Sequence, residues 1–139
     1  ALPQRAKVNV NCRILPGVPM ERVRADLIRV LADDAITINF GDEMGLPAPV
    51  PPLTTEMMEP IRALAKALWP EARVLPTMST GATDGRFLNA AGTPTYGISG
   101  VFADAAGSGA HGLNERIRVQ SLLDARQFLH ELVTSYTRH

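Results

Sequence analysis

The chain has 139 residues, 45% hydrophobic and 20% charged, which is enough apolar content to bury a core and too little charge for compositional disorder. Fourteen Lys and Arg balance fourteen Asp and Glu, removing an overall electrostatic drive toward nucleic acid or an anionic membrane surface. A single cysteine, Cys12, excludes an internal disulfide and any Cys-x-x-Cys metal motif, and no run reaches the ~20 apolar residues of a membrane span.

From Arg5 to Leu15 the residues Ala6, Val8, Val10, Cys12 and Ile14 alternate with polar neighbours, the period of a half-buried strand that Pro16-Gly17 ends. Pro19 suits the first turn of a helix with Met20, Val23, Leu27, Val30 and Leu31 at helical spacing. Ala35–Phe40 reads as a second strand. This strand-helix-strand unit is too small to bury its own sheet face and is expected to pair with another unit or another chain. Residues 45–52, Gly-Leu-Pro-Ala-Pro-Val-Pro-Pro, read as a stiff linker and a domain boundary.

Beyond the linker, Thr54 or Thr55 caps a helix with Ile61, Leu64, Ala65 and Leu68 on one face, and Pro70 stops it. Arg73–Pro76 is a short expected strand. A loop follows from Ser79 to Gly85, in which Asp84 caps a short helix that Gly92 ends. Pro94–Ile98 is another expected strand. Residues 103–110 are small and Gly-rich and deliver His111. A capping box, Ser121-x-x-Asp124, opens a final helix with Leu122, Leu129, Leu132, Val133 and Tyr136 on its buried side. The expected fold class is mixed α/β, divided into residues 1–44, a linker at 45–53, and residues 54–139.

Three places could carry chemistry. His111 follows a flexible small-residue loop and can be aimed at a cleft; a loop histidine is commonly a surface or capping residue, and histidine is also the commonest metal ligand. His130, inside an amphipathic helix, and His139, the last residue, read as structural. The loop Gly81-Ala82-Thr83-Asp84-Gly85-Arg86 ends at a helix start, where backbone N–H groups can hold a carboxylate or an oxyanion, or it is a plain turn. Arg13, on the polar face of a strand, is either solvated or placed for bidentate recognition of a carboxylate. The Gly-Lys-Ser/Thr of a phosphate loop and the Gly-x-Ser-x-Gly elbow of a serine hydrolase are both missing.

Four motifs in order, Asn11-Cys12-Arg13-Ile14-Leu15-Pro16-Gly17, Ser79-Thr80-Gly81-Ala82-Thr83-Asp84-Gly85-Arg86-Phe87, Ala91-Gly92-Thr93-Pro94-Thr95-Tyr96-Gly97 and His111-Gly112-Leu113-Asn114-Glu115-Arg116, resemble the C-terminal portion of the co-catalytic zinc amidohydrolases and carboxypeptidases. This is the family of aminoacylase, glutamate carboxypeptidase and succinyl-diaminopimelate desuccinylase, with the nearest likeness to its carboxypeptidase S-like members. The resemblance implies that residues 1–44 are the second half of a lid or dimerisation domain, and that residues 54–139 are the C-terminal α/β part of the zinc-binding catalytic domain.

It also implies roles. His111 matches the last zinc ligand, Gly81 and Thr83 the substrate-contacting loop, and Arg13 the lid arginine that binds the substrate carboxylate; Asn11 is a further substrate-binding candidate on the same strand face. The implied cofactor is a pair of zinc ions, with cobalt as another possible metal. Family members hold the pair with a His-x-Asp motif, a bridging aspartate, an acidic ligand and a Glu-Glu pair that includes the general base. None of these motifs occurs in the 139 residues, and the lid histidine is missing too. The chain is therefore expected to be a C-terminal piece, inactive alone, of an enzyme that cleaves N-acyl amino acids or small peptides and dimerises through its lid. The abrupt opening at Ala1-Leu2-Pro3 fits that expectation, and the lack of a signal peptide in these residues leans toward the cytoplasm. The alternatives are a non-catalytic dimerisation or ligand-binding module, and a regulatory fold like small amino-acid-sensing domains, which suits the first 43 residues but not the His111 loop.

Overall fold

The computed structural model describes residues 2–41 and 49–138. Residues 45–48 of the expected linker, and His139, lie outside the described residues. Four helices follow in order: α1 (Met20–Leu31), α2 (Thr55–Leu68), α3 (Gly85–Ala90) and α4 (Val119–Thr137). None of them is long and apolar enough to cross a membrane.

The α/β expectation is not met: no strand forms among the described residues. Segments 5–15, 35–40, 73–76 and 94–98 all lack ladder bonds. A strand is completed only by a neighbour's N–H and C=O groups, so period-two hydropathy without a partner leaves the backbone bonded locally or to water. The bonds next to two of these segments are tight turns, Val18 N–H to Leu15 O at 3.1 Å and Ile36 N–H to Asp33 O at 3.1 Å. The strand-helix-strand arrangement is thus reduced to its helix.

The helices themselves follow their local signals. Pro19, extended at φ −63° and ψ 138°, precedes α1, and Ala32 ends it in the left-handed region with its N–H on Ile28 O. Thr54 caps α2, its hydroxyl accepting from Met57 N–H at 3.3 Å. Pro60 lies inside α2 without stopping it. Gly92, at φ 86°, follows α3, and the N–H of Thr93 closes back on Leu88 O at 2.8 Å.

The chain forms two compact units, one made of Ala1–Pro51 with Thr77–Thr95, the other of Pro52–Pro76 with Tyr96–His139. In the second unit α2 packs on α4, with Met58, Ile61 and Ala65 of one facing Ala125, Phe128 and Leu132 of the other. Trp69 caps this core, edge-on to Phe102 at 4.9 Å and tilted against Phe128 at 5.3 Å. Gly100 sits under it at φ 66°, where a Cβ would come within 2.9 Å of Phe128 Cδ1. The Tyr136 hydroxyl donates to Met57 O, and burial pushes its phenol pKa up, with Tyr96 adding to the rise.

Two expectations for α4 are corrected. The helix begins at Val119 rather than at a Ser121 cap, because Ser121 turns inward, accepting from Phe102 N–H at 2.8 Å and donating to Phe102 O at 3.0 Å. Leu122 and Val133, assigned to the buried side, are 54% and 60% exposed; Leu132 is buried as expected, in a stripe completed by Ser121, Ala125 and Phe128.

In the first unit α1 buries no residue. Arg24 reaches from α1 to Ile38 O at 3.0 Å and lies 5.7 Å from the Phe40 ring centre. Asn89 holds Thr95 by two reciprocal backbone bonds of 3.2 and 2.9 Å.

Candidate functional site

The five candidate residues fall in both units. Asn11, Arg13, Gly81 and Thr83 belong to the first, His111 to the second. All five are exposed. Among the described residues no hydrogen bond joins Asn11 or Arg13 to the 81–83 loop.

That loop is organised by its own side chains. Ser79 Oγ accepts from Gly81 N–H at 3.1 Å, and Thr83 O and Asp84 O accept from Arg86 and Phe87 N–H at 3.4 and 3.0 Å. Asp84 stands at the N-cap of α3 in helical conformation without a side-chain cap bond. A Cβ at Gly85 would lie 3.2 Å from Thr83 Oγ1 and 3.3 Å from Thr95 Cγ2, so this loop already uses its close space and several of its amides.

The loop before His111 is drawn from residues with little to pack. Gly107 donates to Asp104 O, Gly112 to Gly109 O and Arg116 to Ser108 O, each at 2.8 Å. Gly107 and Gly109 are left-handed at φ 81° and 65°, and His111 is left-handed at φ 63°. Histidine is one of the few non-glycine residues that adopts this region, and such backbone outliers concentrate at ligand-binding positions. The geometry holds the imidazole out on a turned, exposed tip.

One imidazole is not a metal site. A structural or catalytic zinc takes three or four protein ligands, and among the described residues no group of three or more His, Cys, Asp or Glu could hold an ion. The residues present do not fit a resident metal by themselves. A shallow hollow of about 280 Å³ at the end of α2 is lined by Arg62, Lys66, Arg73 and Val74 and contains none of the candidates. Sequence reading passed over the frame of the His111 loop, namely Asp104 before it and Arg116 and Arg118 after it. Opposite charges flanking a Gly-rich stretch were the available signal.

The structure thus leaves His111, the 81–83 loop and Arg13 exposed, in two separate units, and by itself assigns them no role. The match to known proteins supplies the family: residues 4–135 match the family model described as peptidase family M20/M25/M40, and the chain belongs to that family of generally metal-dependent hydrolases. It is 27% identical over 136 residues to the human N-fatty-acyl-amino acid synthase/hydrolase PM20D1, covering 95% of this chain and 27% of that protein. It is 22% identical over 139 residues to a probable carboxypeptidase S-like 2 of Dictyostelium discoideum, covering 99% of this chain and 27% of that protein. The chain thus spans about a quarter of the length of these relatives. No solved structure is a significant match.

Proposed function

We propose that this chain is the C-terminal portion of a zinc-dependent hydrolase that cleaves the amide bond of N-acyl amino acids or small peptides. The observation that supports it is the family match over residues 4–135, which contains all four sequence motifs in order. The names of the two relatives, an N-fatty-acyl-amino acid synthase/hydrolase and a probable carboxypeptidase S-like protein, support the same substrate class.

In this reading Arg13 binds the substrate carboxylate, since its planar fork matches two carboxylate oxygens in a way an ammonium cannot. Asn11 lies two residues earlier and adds a neutral hydrogen-bonding group. Gly81 and Thr83 line the cleft and contact the substrate. His111 supplies one zinc ligand, and the remaining ligands and the general base come from outside these 139 residues. Residues 1–44 serve as part of a lid through which the enzyme dimerises.

The test compares the purified chain with a longer polypeptide that carries it together with upstream His-x-Asp and Glu-Glu motifs. With zinc present the chain alone is expected to hydrolyse no N-acyl amino acid above background, and the longer protein to be active. There His111→Ala should abolish turnover, and Arg13→Lys should lower kcat/KM for carboxylate substrates more than for their amide analogues. Zinc-dependent turnover by the 139-residue chain would overturn the reading.

A further inference from the structure

We infer that Asp104 is a positioning residue for His111, its carboxylate locking the mouth of the loop whose tip carries the imidazole. The inference rests on the proposed role of His111. Asp104 precedes the loop, and Arg116 and Arg118 follow it. Arg118 Nε donates to Asp104 Oδ1, while Arg116 Nε lies 3.7 Å from Oδ2. Both carboxylate oxygens are therefore turned toward cations on the far side of the loop. The backbone repeats the closure, with Gly107 N–H on Asp104 O and Arg116 N–H on Ser108 O.

The loop needs this lock because its interior offers nothing else. Ala105, Ala106, Gly107, Ser108, Gly109 and Ala110 have no side chain large enough to pack, and glycines lose the most conformational freedom on ordering. Three residues within five, Gly107, Gly109 and His111, hold left-handed backbone, a sequence of turns that an open loop would exchange for others. The His111 side chain is exposed and accepts or donates no hydrogen bond among the described residues. Its direction is therefore set by its backbone, and its backbone by the closed mouth. An isolated exposed ion pair contributes little, but here one half-buried carboxylate serves two arginines and shuts a loop, so the pairs act through the loop's order.

The test uses the chain as it stands, followed by amide hydrogen exchange and by the resonances of His111. Relative to the unaltered chain, Asp104→Asn is expected to speed exchange of the Gly107, Gly112 and Arg116 amides about fivefold. It should also shift the His111 amide–Hα coupling and ring signals away from the left-handed values. The Phe128 and Leu132 amides and the melting temperature should not move. Asp104→Glu, which keeps the carboxylate, should restore most of the protection. Unprotected loop amides in the unaltered chain, no change in Asp104→Asn, losses that spread to Phe128 and Leu132, or failure of Asp104→Glu to recover more than the asparagine would each overturn the inference. His111→Asn, which removes the imidazole but tolerates the left-handed backbone, should leave the loop's exchange unchanged, so a finding that His111 plays no part in hydrolysis would sink the functional reading and leave this measurement standing.

Discussion

The two units spend similar residues in different ways. In the second, Phe128 and Leu132 are 2% and 3% exposed between α2 and α4, whereas in the first Val8 and Val10 remain 80% and 68% exposed and α1 buries nothing. The composition of the helices does not explain this, since α1 and α2 are both amphipathic. What differs is the partner. α2 meets a second helix with a complementary stripe, while α1 has beside it only segments whose hydropathy asks for a sheet. An apolar face is a demand for a neighbour, and only the second unit answers it from its own residues.

Substitutions can break or sharpen that contrast. Phe128→Ala should cost about 3–5 kcal/mol by opening a cavity in the α2–α4 core, read as a collapse of the cooperative thermal transition in circular dichroism, whereas Val10→Ala should stay within about 0.5 kcal/mol. An equal loss for both would show that the first unit has a core of its own. Gly100→Ala should destabilise by about 1–3 kcal/mol, since the left-handed backbone and the Phe128 ring both oppose a methyl there; urea midpoints would measure it. Asn89→Ala should cost roughly 1 kcal/mol and act locally, releasing the Thr95 amide to exchange without moving the main transition.

The smallest effect is a pH dependence. Burial raises the Tyr136 pKa above 10.0, so the folded state favours the neutral phenol and the unfolded chain ionises first. The stability this contributes is complete below pH 10 and is lost as pH rises through the folded pKa. Tyr136→Phe should flatten the alkaline limb of stability against pH, and an unchanged limb would assign it to other groups.

Much of the helical structure was legible because helix signals are local. The Thr54 cap, the Pro19 start and the Gly92 stop each act within one turn, and each stands where the sequence puts it, give or take the role of a single residue. The strands were not legible, for a strand's existence depends on a partner that alternation at residues 5–15 or 35–40 cannot name. The face of α4 was misread for another reason. It carries apolar residues on opposite sides, so hydropathy alone favoured Leu122 and Val133, and only the Phe102 backbone, which occupies both bonding modes of Ser121, decides the inward stripe. At the candidate site, residue types were readable from motifs, but the closed mouth at Asp104 required two arginines brought back across a loop.

The core of the second unit is assembled from two stretches of chain separated by Thr77–Thr95, and the Tyr136–Met57 bond joins residues 79 apart in sequence. During synthesis α2 emerges well before the helix that buries it, so the ribosome releases an apolar face that must wait for α4 at Val119–Thr137. Closing so large a loop slows folding more than it weakens the product, because closure entropy grows only logarithmically with length, about 0.6 kcal/mol per doubling. The length of the intervening chain therefore bears on the speed with which the helix pair assembles far more than on its stability.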